Sequence, residues 1–106
     1  MKKQINSNRG ERIASAVQRH VAEILILRGI TATLTGAQSH GGLQFVRLFW
    51  QGARELQSRL DADKGAIRYE LAQIMNQKYV PDLQFVYDDT LEKSERIDQL
   101  LANIDL

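Results

Sequence analysis

Between residues 8 and 28, Ile13, Val17, Val21, Ile24 and Leu25, with Ala14 between them, recur at helical spacing and form one apolar stripe. A helix with such a stripe has to bury it against a second layer. Asn6, Ser7 or Asn8 can cap its start, which leaves residues 1–7 as a short tail, and Gly29 after Arg28 marks its end. Beyond that glycine the period changes. Residues 30–38 alternate small apolar side chains with Thr, the pattern of a half-buried strand. Ser39-His40-Gly41-Gly42 reads as a turn, and Leu43 to Trp50 as a second strand completing an antiparallel hairpin. Val46, Leu48 and Trp50 share one face of it. Leu43, Phe45, Arg47 and Phe49 share the other, apolar enough to expect partial cover by another element.

Residues 52–61, with Ala53, Leu56 and Leu60 inward, predict a short helix; residues 65–78, with Ile67, Leu71, Ile74 and Met75 inward, predict another. Gly65 and the aspartates 61 and 63 at the junction favour a kinked pair over one straight helix. Pro81 then admits an extended segment, and Leu83, Phe85 and Tyr87 line one face of a third strand. A last helix starts at Asp88-Asp89-Thr90, Asp89 and Glu92 having capping-box spacing, with Leu91, Ser94, Ile97, Leu101 and Ile104 on its buried side. The 106 residues suit one domain, 1–106, with a radius of gyration of about 13 Å. The order α-β-β-α-kink-α-β plus a C-terminal helix is an α+β fold: a three-stranded sheet with helices on one face. That order resembles the second type of KH domain, whose modules bind single-stranded nucleic acid through a GXXG loop, a motif this chain lacks.

Charge runs downhill along the chain. Residues 1–28 carry six basic side chains against two acidic, a net +4, whereas residues 81–106 carry two against seven, a net −5. A chain of overall charge +1 can therefore present one basic face, suited to a polyanion, or only solvated helix faces. Cysteine is absent, which excludes disulfides, thiol nucleophiles and Cys-based metal sites. No apolar run approaches the roughly 18 residues of a membrane span, and the basic N-terminus lacks the apolar core of a signal peptide, so a cytoplasmic protein without membrane contact is expected.

Three segments in order resemble the ribosome-binding factor A family, bacterial small-subunit maturation factors. They are Arg9-Gly10-Glu11-Arg12-Ile13, then Gly65-Ala66-Ile67-Arg68 with Leu71-Ala72, then Val80-Pro81-Asp82-Leu83-Gln84-Phe85-Val86-Tyr87-Asp88, which is similar to the family's Val-Pro-Glu-Leu-x-Phe-x-x-Asp. The resemblance implies a KH-like fold whose GXXG loop is replaced by a kink on an Ala-x-Gly triplet, here involving Ala62, Asp63 and Gly65. It implies binding to the immature small ribosomal subunit, against its RNA near the decoding region, and help in late maturation and rRNA processing without catalysis. Of two basic positions before the Val-Pro segment, one is Asn76 here and the other is kept as Lys78.

The candidate RNA contacts are Arg9, Arg12, Arg19, Lys64, Arg68 and Lys78. The first three form a stripe on the first helix away from its apolar face, a plausible phosphate track. Lys64 and Arg68 fall at the N-terminal turn of the helix after the kink, where free backbone N–H groups favour phosphate. Their alternative role is as solvated partners of nearby carboxylates. Arg47 beside Phe45 and Phe49 can stack bases or simply cover core aromatics with its stem. His20 and His40 have no partners at metal-ligand spacing, and the Asp pairs 61/63 and 88/89 lack a positioned His or Lys. Neither a metal, a cofactor, a small-molecule substrate nor an enzymatic activity is expected, and the protein is expected to be a monomer. The competing view is a KH-like protein–protein interaction module that has lost RNA binding.

Overall fold

The computed structural model describes residues 2–40, 44–76 and 80–104, with side chains described from residue 9 to residue 100 within those stretches. Helix α1 (Lys2–Leu27) is followed by strands β1 (Thr33–His40) and β2 (Phe45–Gln51), helix α2 (Leu56–Met75), strand β3 (Asp82–Tyr87) and helix α3 (Thr90–Ile104). The sheet order is β1-β2-β3, with β1 antiparallel and β3 parallel to β2. Helices α1 and α2 cover one face, burying Val17, Val21, Ile24 and Leu25 of α1 and Leu60, Ile67 and Leu71 of α2 against Val46, Leu48, Trp50, Leu83 and Phe85. This is the expected α+β arrangement, and the facing of β2 and β3 is the one their alternation predicts.

Helix α1 ends as its Gly29 requires. Gly29 takes φ +72°, its N–H donates to the Ile26 carbonyl at 3.0 Å and the Ile30 N–H donates to the Leu25 carbonyl at 2.9 Å. These two bonds form a Schellman motif, and Ile30 and Leu25 are both buried beside it. Because Ile30 closes the helix, β1 starts at Thr33, three residues later than expected. It runs through Ser39 and His40, which were expected to turn; Gly41 and Gly42 of that turn lie outside the described residues. At the other end, residues 2–7 are helix and not the expected tail.

The expected pair of short helices is one. Residues 61–65 are helical throughout α2, so the kink assigned to Ala62, Asp63 and Gly65 does not interrupt it. Ala62 and Ala66 favour helix, Gly65 points into open space, and Asp63 is held by two arginines. Helix α2 begins only at Leu56, which leaves Ala53 exposed in the preceding turn, and Ile74 is 47% exposed. It ends on Asn76 in the left-handed conformation, φ 51°.

Helix α3 departs most from expectation. Among the described residues no other element packs along it, and Leu91 and Ile97, expected to be buried, are 62% and 55% exposed. The side chains of Leu101 and Ile104 lie outside those described. The start of α3 is capped by Asp88 and not by Asp89. With α3 standing off the two-layer body, the radius of gyration is 16.6 Å, above the expected value. No helix among the described residues consequently covers the sheet face opposite α1 and α2, contrary to the expectation that another element covers part of it.

Candidate nucleic-acid interface

The α1 stripe is placed as its spacing predicts. Arg9, Arg12 and Arg19 are exposed on the side of the helix away from the core. Arg12 and Arg19 flank an open depression of about 750 Å³ lined also by Glu11, Ser15 and Ala16. A second depression of about 610 Å³ shares Glu11 and Ser15 with it and continues to Gln38, Ser39 and His40 on β1.

The other predicted contacts are placed differently. Lys64 and Arg68 lie well inside α2, whose backbone N–H groups there are engaged in the helix, so no free helix N-terminus accompanies them. Lys64 is partly buried. The Arg68 guanidinium turns to the entry of β3, donating through Nη2 to the Val80 carbonyl at 2.7 Å and through Nε to the Pro81 carbonyl at 3.2 Å, with Asp82 at 3.3 Å. It thereby fixes where the third strand begins. Lys78 lies outside the described residues.

Sequence reasoning missed the contacts that hold α1 on α2. Arg28 donates to Glu70 Oε2 from Nε at 3.0 Å and from Nη2 at 2.7 Å, and reaches Asp63 at 3.4 Å. Arg59 joins from one turn before Asp63, donating to its carboxylate at 3.1 Å and to the Arg28 carbonyl at 3.2 Å. Arg28 and Glu70 are 42 positions apart, so no local spacing signals them. Asp63, which looked like part of a kink, is the acid shared by two arginines.

The carboxylate pairs are likewise engaged. Asp88 Oδ2 accepts from the Thr35 hydroxyl at 2.6 Å, and Oδ1 accepts from the Thr90 hydroxyl at 2.5 Å and the Thr90 N–H at 3.0 Å. The Thr35 bond first, then those from Thr90, hold the Asp88 carboxyl below its ordinary pKa. Thr35 is free to do this because it is the extra residue where the β1 register shifts between Leu34 and Gly36. Asp61 accepts from the Gln57 amide at 3.1 Å. At the α3 start, Glu92 accepts from Arg54 at 2.7 Å, and the Arg54 guanidinium lies 4.4 Å from the Tyr87 ring centroid. Loss of solvent around the phenol, then the Glu92 charge, raise the Tyr87 pKa.

Among the described residues, no group of three His, Asp or Glu side chains is disposed to hold a metal ion, and no helix is long and apolar enough to cross a membrane.

Comparison with known proteins adds a family to this geometry. The family model for ribosome-binding factor A matches residues 9–101. The Streptococcus agalactiae ribosome-binding factor A is 31% identical over 93% of this chain and 96% of its own length. That of Limosilactobacillus fermentum is 34% identical over 91% of this chain and 90% of its own. The crystal structure of the factor from Thermus thermophilus superposes with a TM-score of 0.67 at 15% identity, covering 74% of this chain and 93% of that one. A homology model of the Thermus thermophilus factor, as fitted into a cryo-EM map of a 30S complex, gives a TM-score of 0.66 at 11% identity, with 76% and 96% coverage. With all three sequence segments inside the matched region and the three-stranded α+β fold shared, the chain belongs to the ribosome-binding factor A family.

Proposed function

We infer that this protein is an RNA-binding assembly factor of the cytoplasm that binds the immature small ribosomal subunit as a monomer and assists late maturation and processing of its rRNA. The observation that carries the reading is the family match across residues 9–101, together with the 30S complex into which a Thermus thermophilus relative has been fitted. The exposed arginine stripe of α1 supplies the phosphate contacts, Arg9, Arg12 and Arg19 together, while Lys64 adds charge from α2. Arg68 contributes by fixing β3, with its remaining donor capacity open to RNA. Lys78 completes the basic set by family resemblance. The action is binding and shape recognition, with no covalent step, cofactor or small substrate. Sedimentation through a sucrose gradient tests it: the protein should travel with free small subunits and not with whole ribosomes, and equal recovery in both, or in neither, rejects the reading.

One observation favours a second reading, the KH-like interaction module. Ile97 and Leu100 of α3, one turn apart, are exposed on a helix with acidic neighbours, and Leu91 is exposed in its first turn, which suits a protein partner better than RNA. Association with subunits that hardly responds to salt would support that reading.

A further inference from the structure

The open face of the sheet is built in three rows by the strand register. Gln38, Arg47 and Gln84 stand side by side in the middle row. His40 and Phe45 lie on one side of it, and Gly36, Phe49 and Val86 on the other. No helix covers these rows among the described residues. Along the central strand Phe45, Arg47 and Phe49 are each two residues apart, which spaces their side chains by about 6.6 Å. The His40 and Phe45 rings are stacked, with centroids 5.2 Å apart at an interplanar angle of 17°. The Arg47 guanidinium sits 5.9 Å from the Phe45 centroid and is steadied by a bond from Nε to Gln84 Oε1 at 3.3 Å.

We propose that this face binds two or three unpaired RNA nucleotides by stacking their bases on Phe45 and Phe49. Two flat rings on one strand, about 13 Å apart with the outward Arg47 between them, offer a stacking platform to two bases separated by one nucleotide, and any base can use it. Arg47 between them supplies the cation for the intervening phosphate, and the amides of Gln38 and Gln84 bond base edges without adding charge. Asp82, opposite Phe45, is drawn toward Arg68 at 3.3 Å, which lessens its repulsion of a phosphate. Gly36 leaves the edge of Phe49 bare: a Cβ there would stand 3.8 Å from the ring. The arginine stripe approaches this face from the other side of β1, since the depression at Glu11 and Ser15 runs between α1 and the α1-facing side of β1, at Ala37 and Ser39, as far as the strand edge at Gln38 and His40. A strand whose phosphates follow α1 would have to pass around the β1 edge to lay its next bases on the sheet. The proposal rests on the RNA-binding reading above but names a different surface from the basic residues assigned there.

The test uses the full chain, an eight-nucleotide unstructured RNA carrying 2-aminopurine, and free small subunits. Wild type should bind the octamer and quench the 2-aminopurine, the signature of stacking. Phe45→Leu with Phe49→Leu should weaken octamer binding about tenfold or more and abolish the quench. Gly36→Val, which removes no group but covers the Phe49 edge, should weaken it in the same direction. Both variants are compared by thermal melt with wild type, and if the double variant is unfolded Gly36→Val alone decides. Absence of octamer binding by wild type, or octamer binding by the folded variants equal to wild type, overturns the stacking site. Co-sedimentation of wild type with small subunits in that case leaves the assembly-factor reading standing. Octamer quenching without subunit binding would do the reverse.

Discussion

The Trp50 indole N–H donates to Gln57 Oε1 at 2.9 Å, and this one contact ties the buried end of β2 to the first turns of α2. Trp50 is fully buried, and the same Gln57 amide donates from Nε2 to the Phe85 carbonyl on β3 at 2.9 Å. One side chain therefore satisfies a donor and an acceptor from two adjacent strands. Leucine at this position would leave both unpaired under the helix. Gln57→Leu should destabilise the domain by about 1–3 kcal/mol, read as a fall of roughly 4–8 °C in Tm per kcal/mol. An unchanged melt would mean that water replaces the amide.

Gly65 gives a sharper test of helix α2. It is exposed, and a methyl added there meets nothing within 4 Å. In an unbroken helix glycine is the entropically poor choice, so Gly65→Ala should stabilise by about 0.5–1 kcal/mol. A loss of stability would show that the backbone there needs the freedom of glycine, as a functional kink would.

The two layers and the facing of β2 and β3 were legible because each depends on a periodicity contained within a few residues. The 3–4 spacing of Ile13, Val17, Val21 and Ile24 and the alternation of Val46, Leu48 and Trp50 say which side is apolar, and the core takes those sides. The continuity of α2 was legible only in part: Arg59, four positions before Asp63, is a local helical partner, whereas the second arginine on Asp63 is Arg28, 35 positions away. Periodicity also shows only that a helix has an apolar side, not what meets it, which is why Leu91 and Ile97 were expected to be buried. For the candidate site, the exposed stripe of Arg9, Arg12 and Arg19 followed from spacing alone. The anchoring of Arg68 on two carbonyls depends on a strand entry twelve residues further on, which no local pattern encodes.

Asp88 should make the domain acid-sensitive in one direction. Its folded pKa is depressed, chiefly by the Thr35 hydroxyl, so its stabilising contribution is present above the unfolded value of about 3.9 and is lost as pH falls through the folded value. Thr35→Val removes the largest cause, and the Asp88 pKa should then rise toward the ordinary range when followed by NMR titration. Thr35→Val should also flatten the loss of stability between about pH 4 and the folded pKa. A titration curve identical to wild type would show that Thr90 alone sets it.

Arg68 and Lys64 should separate stability from binding. Arg68→Ala strips donors from the Val80 and Pro81 carbonyls at the start of β3 and should cost about 1–3 kcal/mol in a urea melt. Lys64→Ala should stay within about 0.5 kcal/mol, since no hydrogen bond or ion pair ties its ammonium among the described residues. Equal melts for the two variants would remove Arg68 from the role of strand anchor.

The salt dependence of subunit binding decides between the basic and acidic ends of the chain. If about five phosphates are contacted, affinity should fall on the order of several hundred-fold between about 50 and 200 mM salt. Changing Arg9, Arg12 and Arg19 together to alanine should weaken binding and reduce the slope of log affinity against log salt by about three contacts' worth. Lys93→Ala with Arg96→Ala removes cations from α3, where Lys93 already faces Asp89 at 3.6 Å and Glu92, Glu95 and Asp98 offset the charge. That pair should leave both affinity and slope nearly unchanged, within about 0.5 kcal/mol. The α1 arginines are exposed and outside the core, so a thermal melt of the triple variant beside wild type separates any loss of folding from loss of binding, and weaker binding by the folded variant is then assigned to the missing charges. A purely nonspecific attraction would instead lower the slope in proportion to the charge removed, whichever helix carried it. Slopes reduced by about three for one variant and about two for the other would therefore remove α1 from its place as the phosphate track.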